Sequence, residues 1–224
     1  MTRTPLFGYG LGLGLGACIA AGFAMLSSAA SADPAIASQP RSVGAFHAID
    51  LAGTLEVEVT VGKPASVEIT GDADLLDKVV TVVKDGALVI STPELRHTKR
   101  RNSHLRAIVS APELGALTIS GTGAIKASGV AGERFAINVS GTGAITAAGS
   151  TGALRIDLGG TGEVAAKQLA ARDVVIDIGG TGSARLNATR SLDARISGTG
   201  SLHVDGHPTQ VKKSVSGTGS IHID

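Results

Sequence analysis

Six copies of Gly-Thr-Gly punctuate the second half of the chain, with their threonines at Thr122, Thr142, Thr161, Thr181, Thr199 and Thr218. The successive gaps are 20, 19, 20, 18 and 19 residues. A period this short and steady marks a repeat architecture, in which no unit buries its apolar face alone. Around each copy the apolar residues alternate. Leu117-Thr118-Ile119 precedes the first copy and Ala124-Ile125-Lys126-Ala127 follows it; Ile137-Asn138-Val139 and Ala144-Ile145-Thr146-Ala147 flank the second. Period-two alternation is the pattern of half-buried strands. A helix would need apolar residues three and four apart, which these segments lack. A strand–helix–strand unit needs about 30 residues, so one repeat is too short to hold one. It suffices for one coil of a β-solenoid, with two or three short strands and tight corners, stacked on its neighbours. At the ordinary strand spacing of about 4.8 Å, six coils make a rod roughly 25 Å long.

The columns that stacking creates are consistent. Ile119, Val139, Leu158, Ile178, Ile196 and Val215 form one inward ladder, and Ile125, Ile145, Val164, Ala184, Leu202 and Ile221 a second. Ala127, Ala147, Ala166, Leu186, Val204 and Ile223 form a third. Thr118, Asn138, Asp157, Asp177, Arg195 and Ser214 form an outward, polar column. The glycines beside each threonine are expected at corners whose φ values suit glycine. Gly129, Gly149 and Gly206 mark a second corner.

The N-terminus reads as an export signal. Arg3 precedes an apolar, Gly- and Leu-rich stretch over 6–26, and Ala30-Ser31-Ala32 offers a small-residue cleavage site. The same stretch approaches membrane-spanning length, which leaves a retained anchor as the alternative. Its glycines and the Ala-x-Ala end favour cleavage, giving a signal peptide over 1–32. Cys18, the only cysteine, ends Leu15-Gly16-Ala17-Cys18, which looks like a lipobox; the apolar run over 19–26 fits that reading poorly. No disulfide is available in either case. Without Arg3, 19 Lys and Arg balance 19 Asp and Glu. Phe46 and Phe135 are then the only aromatic residues outside histidine. A neutral chain with almost no rings is not built to stack on single-stranded nucleic acid, and no nucleic-acid partner is expected.

Residues 33–43, rich in Ala, Pro and Ser, read as a linker, and 44–224 as one solenoid domain. Within it, 44–115 are irregular first coils and 116–224 the regular ones. Gly53-Thr54 sits in a degenerate copy of the repeat, Ile49-Asp50-Leu51-Ala52-Gly53-Thr54-Leu55-Glu56-Val57. Residues 66–70 are a further strand, and 72–80 allow one or two helical turns capped by Asp72 or Asp74. Lys84-Asp85-Gly86-Ala87 is a hairpin turn between apolar runs. The irregular half is placed to cap one end of the solenoid. The last strand leads directly to Asp224 and leaves an edge that invites self-association through the C-terminal coil.

Taken together, the export signal, the Gly53-Thr54-Leu55-Glu56-Val57-Glu58-Val59 opening, the Lys84-Asp85-Gly86-Ala87-Leu88-Val89-Ile90 hairpin and the Ile119-Ser120-Gly121-Thr122-Gly123-Ala124-Ile125 type of coil resemble the bacterial head GIN domain family over about 43–224. That family is described as the heads of auto-transporter adhesins. The resemblance implies a right-handed parallel β-solenoid, a single-stranded β-helix with coils of about 19–20 residues, exported to the periplasm or cell surface. It brings no agreed activity and no catalytic residues, and "adhesin" is itself a fold-level analogy.

Candidate sites follow from the outward columns. The threonine ladder offers evenly spaced hydroxyls to a repetitive ligand such as glycan or ice; the plainer reading has each hydroxyl satisfying local backbone groups. Gly159-Gly160-Thr161-Gly162 superficially resembles calcium-binding toxin repeats, but the period and the following residue differ. Asp157 and Asp177 stack on one face with oxygen donors for Ca²⁺; Arg155, Arg172, Arg185 or Arg195 can neutralise them instead. His203 and His222 occupy equivalent outward positions, with Asp205, Asp224 and His207 nearby, a donor set for Zn²⁺. An exposed, repeat-derived ladder is the simpler reading of both sets, and no metal or cofactor is expected. Residues 97–106 hold the one strong charge cluster, with Lys99, Arg100, Arg101 and Arg106 available to an anionic surface such as lipopolysaccharide; a solvated loop is the plainer reading.

No outward column repeats a carboxylate pair with a base, and Ser120, Ser140, Ser197 and Ser216 lack a fixed histidine partner, so no catalytic residues are assigned. The expected function is a non-catalytic structural or binding module of the bacterial envelope, adhesin-like, acting on an envelope or surface ligand. The alternative is a polysaccharide-active β-helix enzyme, which would show a deep acidic groove.

Overall fold

The computed structural model describes residues 36–93 and 105–224. The segment 1–32 read as an export signal, with Cys18, and Lys99, Arg100 and Arg101 lie outside the described residues. In chain order the elements are β1 (Ile36–Arg41), β2 (Ala48–Leu51), β3 (Thr54–Val61), β4 (Ser66–Asp72), α1 (Ala73–Leu76), β5 (Val80–Lys84), β6 (Ala87–Ser91), β7 (Arg106–Ala111), β8 (Ala116–Ile119), β9 (Thr122–Val139), β10 (Thr142–Leu158), β11 (Thr161–Ile178), β12 (Thr181–Ile196), β13 (Thr199–Asp205), β14 (Gln210–Val215) and β15 (Thr218–Ile223).

They form a β-solenoid. β9, β10, β11 and β12 are 16 to 18 residues long and turn corners while staying paired in parallel with the coils on either side. The threonines align one above another: Thr54 with Thr122, then Thr142, Thr161, Thr181, Thr199 and Thr218. The Gly53-Thr54 segment is therefore a rung of the same stack. Coil lengths that differ by a residue or two are absorbed at the second corner, where the register shifts between Ala147 and Gly149 and between Ala166 and Ala170. Gly129, Gly149 and Gly206 stand there with φ of 76°, 139° and 91°, values that suit glycine.

The inward ladders make the core. Ile119, Val139, Leu158, Ile178 and Ile196 are buried, as are Ile125, Ile145, Val164, Ala184 and Leu202. A further ladder, unremarked in the periodicity, runs through Phe135, Leu154, Val174 and Leu192 on the coil's third side. Burial of each such side chain is worth about 1.5–3 kcal/mol, so stacking supplies the stability that no coil has alone. The ladders fade at the last rung: Val211 and Val215 are 43% and 44% exposed.

The corner glycines answer to a different constraint from the one expected. Of the twelve that flank the six repeat threonines, only Gly123 has a φ in the glycine-favouring range. A Cβ on any of the twelve would instead come closer than 3.0 Å to a backbone oxygen of the preceding coil. Glycine is needed there because two backbones touch, and only secondarily because the chain bends.

The irregular half stacks out of chain order. β2 lies between β6 and β8, and β3 between β7 and β9. The later rung, β6 with β7, thus sits outside the earlier one. Antiparallel strands close this end: β4 pairs with β7, β1 with β4, and β5 with β6. The linker expected over 33–43 is in part strand β1, pinned where the Arg41 guanidinium donates to the carbonyls of Leu76 (2.7 Å) and Val79 (3.3 Å). α1 is one short turn, and Asp72 precedes it without a side-chain cap. The hairpin is as expected, with Asp85 and Gly86 at φ of 52° and 75°, both positive as in a type I′ turn.

Candidate functional site

Alternation along β12, β13 and β15 decides what reaches solvent near the last rungs. Ala184, Leu202 and Ile221 point inward, so the next residues, Arg185, His203 and His222, point outward in one column. In-register pairing places the two imidazoles in a stack, with ring centroids 5.0 Å apart and planes inclined by 24°. Asp224 extends the strand, its N–H donating to the Val204 carbonyl at 3.1 Å. Its carboxylate then meets both rings: His203 Nε2 at 3.0 Å and His222 Nε2 at 3.1 Å. One coil back, Asp205 makes a different contact, with Lys167 Nζ at 2.8 Å. That hydrogen bond, reinforced by the ammonium charge, holds the Asp205 carboxyl below its ordinary range. His207 lies past the Gly206 corner, exposed and outside the cluster. The column borders an open groove of about 380 Å³, which Glu163, Ser183, Ser201 and Ser220 also line.

Asp157, Asp177 and Asp193 are ion-paired with arginine. Asp157 and Asp177 stack in register. Arg155 lies 2.8 Å from Asp157 and 3.6 Å from Asp177, while Arg195 bridges Asp177 (3.6 Å) and Asp193 (2.8 Å). Of the arginines considered for this role, Arg172 instead pairs with Glu133 at 3.1 Å. Arg106, the described member of the basic cluster, lies 3.4 Å from Glu56 and 3.3 Å from Glu58 on β3. The repeat threonines and Thr54 are all exposed. Among the described residues none of their hydroxyls bonds to the protein, so they do not satisfy local backbone groups as expected.

One electrostatic cluster was not read from the sequence. On the third side of the coil, Asp173 accepts hydrogen bonds from Arg190 and from the Ser191 hydroxyl, the latter at 2.6 Å. The Arg190 hydrogen bonds, then that of Ser191, hold its pKa at about 2 rather than the ordinary 3.8. A carboxylate whose pKa is depressed by folding contributes stability above its unfolded value, and loses it as pH falls through the folded one. Thermal unfolding followed stepwise from pH 4 to 2 should therefore show a shallower fall for Asp173→Asn than for the unchanged chain. Equal slopes would count against the assignment. The signal was faint because Arg190 and Asp173 are 17 residues apart, adjacent only once the coils stack.

With the solenoid and its outward columns in place, the chain can be set beside known proteins. The family model described as "Putative auto-transporter adhesin, head GIN domain" matches residues 45–208. The chain belongs to the head GIN domain family. Among solved structures, a "putative adhesin" of Bacteroides fragilis is 23% identical, with a TM-score of 0.64, over 86% of this chain and 98% of that one. A "putative lipid binding protein" of Parabacteroides distasonis is 22% identical over 84% of this chain and 96% of its own, with a TM-score of 0.48. A "putative adhesin" of Parabacteroides merdae is 19% identical over the same shares, with a TM-score of 0.45. The Bacteroides fragilis protein has the same fold. No curated protein is significantly similar in sequence. Neither the description of the GIN family nor the names of these structures denotes an enzyme.

Proposed function

We propose that this GIN-domain chain is an exported, non-catalytic binding module of the bacterial envelope, adhesin-like, that holds an envelope or surface ligand along the flank of its rod. The observation that carries this reading is the threonine ladder. Seven exposed hydroxyls stand in register on successive rungs, and they spend no hydrogen bond on their own chain. A row of free donors and acceptors at a spacing of about 4.8 Å suits a repetitive polar ligand. The flank carboxylates Asp157 and Asp177 favour binding over hydrolysis. Glycoside cleavage needs one carboxyl as acid and another free as base or nucleophile; here Arg155 lies 2.8 Å from Asp157 and 3.6 Å from Asp177 and engages both.

Two measurements test the reading. The full chain is incubated with purified envelope polysaccharide. Retention without shortening is expected; release of new reducing ends would instead support the β-helix enzyme. Residues 1–32 are fused to a reporter that is active only outside the cytoplasm. An active reporter is expected, and an inactive one would remove export from the proposal.

A further inference from the structure

The two histidines are confined to the last two rungs of the repeat. Their column reads Lys126, Thr146, Ala165, Arg185, His203, His222 along the rod. Imidazoles appear only on the last two rungs, and Asp224 brings its carboxylate to both.

The geometry points to a site for a divalent transition-metal ion of the zinc class, held by His203 Nε2, His222 Nε2 and a carboxylate oxygen of Asp224, with its remaining position open to the groove beside Ser201 and Ser220. The three donor atoms lie within 4.8 Å of one another. Tetrahedral zinc with bonds of about 2.0–2.1 Å sets neighbouring donors roughly 3.3–3.4 Å apart. Here His203 Nε2 lies 3.0 Å from Asp224 Oδ2 and His222 Nε2 lies 3.1 Å from Asp224 Oδ1. An ion held by both rings and one of these oxygens draws together donor atoms that already lie within 4.8 Å of one another. Both rings present Nε2 to one carboxylate, so the three groups face a common point on the flank.

The chemistry selects among ions. Two imidazole nitrogens and one carboxylate suit zinc and its neighbours, whereas Ca²⁺ takes six to eight oxygens. Access is open, since the side chains of His203, His222 and Asp224 are 34%, 70% and 45% exposed. The support is rigid at His203, whose strand β13 is paired with β12 on one side and β15 on the other. Three protein ligands leave the fourth position for water or for a donor group of a bound partner. This site stands or falls independently of the threonine ladder.

Isothermal titration calorimetry of the full chain with ZnCl₂ alone, and separately with CaCl₂, tests the site. One Zn²⁺ per chain is expected, with a rise in unfolding temperature, and no comparable response to Ca²⁺. His222→Gln and Asp224→Asn should each weaken binding by about tenfold or more, and His203→Ala combined with His222→Ala should abolish it. His207→Ala should leave it unchanged. Co²⁺ should give the intense visible absorption of a four-coordinate centre in the unchanged chain and lose it in the double variant. Metal-free unfolding curves of the variants show whether they fold; the exposed His222 makes His222→Gln the safest of them. The proposal is overturned if Zn²⁺ does not bind, if binding survives the double substitution, if His207→Ala removes it, or if Ca²⁺ binds equally well.

Discussion

Gly160→Ala and Gly162→Ala are each expected to destabilise the solenoid by about 3 kcal/mol or more, whereas Gly159→Ala, one residue away, should be neutral or slightly stabilising. The difference lies in what an added methyl group meets. At Gly160 the Cβ would run into the backbone oxygen of Gly141 on the preceding coil, and at Gly162 into that of Gly143. Neither obstacle is a flexible side chain that can turn aside. The coils must part locally, which stretches the parallel hydrogen bonds on both sides of the corner, such as Thr161 N–H to the Gly141 carbonyl at 3.0 Å. At Gly159 nothing lies within 4 Å, and alanine restricts the unfolded chain. For a folded unit of this size, 3 kcal/mol lowers the melting temperature by roughly 6–12 °C. Calorimetric unfolding of the three variants decides the matter. Equal losses at Gly159 and Gly160 would mean that backbone conformation, rather than contact between coils, makes these positions glycine.

The same contrast shows what the sequence could and could not disclose. Period-two alternation around a fixed repeat determines which side chains face inward, because stacking repeats each choice on the next rung. Ile119, Ile125 and Ala127 were legible for that reason, as was the turn at Asp85-Gly86. The order of the first rungs was not legible. Nothing in 46–61 or 87–111 says that the later segment stacks outside the earlier one, since each offers alternating apolar residues that fit either neighbour. The antiparallel cap was hidden too: β1 is a strand because β4 offers an open edge, despite the Pro40 that made its sequence look like a linker. At the candidate site, the stacking of His203 on His222 followed from their equivalent positions. The convergence of both on Asp224, with Asp205 turned instead to Lys167, depended on side-chain geometry that spacing does not encode. Asp157 and Asp177 lie between, for alternation puts Arg155 and Asp157 on one face and the coil stack brings Arg195 beside Asp177.

Ile178→Ala is expected to cost about 2–5 kcal/mol, and Val215→Ala, in the same inward column, less than about 1 kcal/mol. Ile178 is 1% exposed, paired in register with Leu158 on one side and Ile196 on the other. Truncation there leaves a cavity between two coils that the hydrogen-bonded backbones cannot close. Val215 stacks on Ile196 alone and is 44% exposed, so its methyl groups have little burial to lose. A stack of rungs is stabilised chiefly by its nearest-neighbour interfaces, and a rung with one interface opens more readily than a rung with two. Amide hydrogen exchange should therefore rank β14 and β15 well below β10 and β11 in protection. Ile178→Ala should lower protection across β10, β11 and β12 together, while Val215→Ala should touch only β14 and β15. Similar losses from the two substitutions would show that the last rung is as well buried as the middle ones, contrary to the exposure of Val211 and Val215.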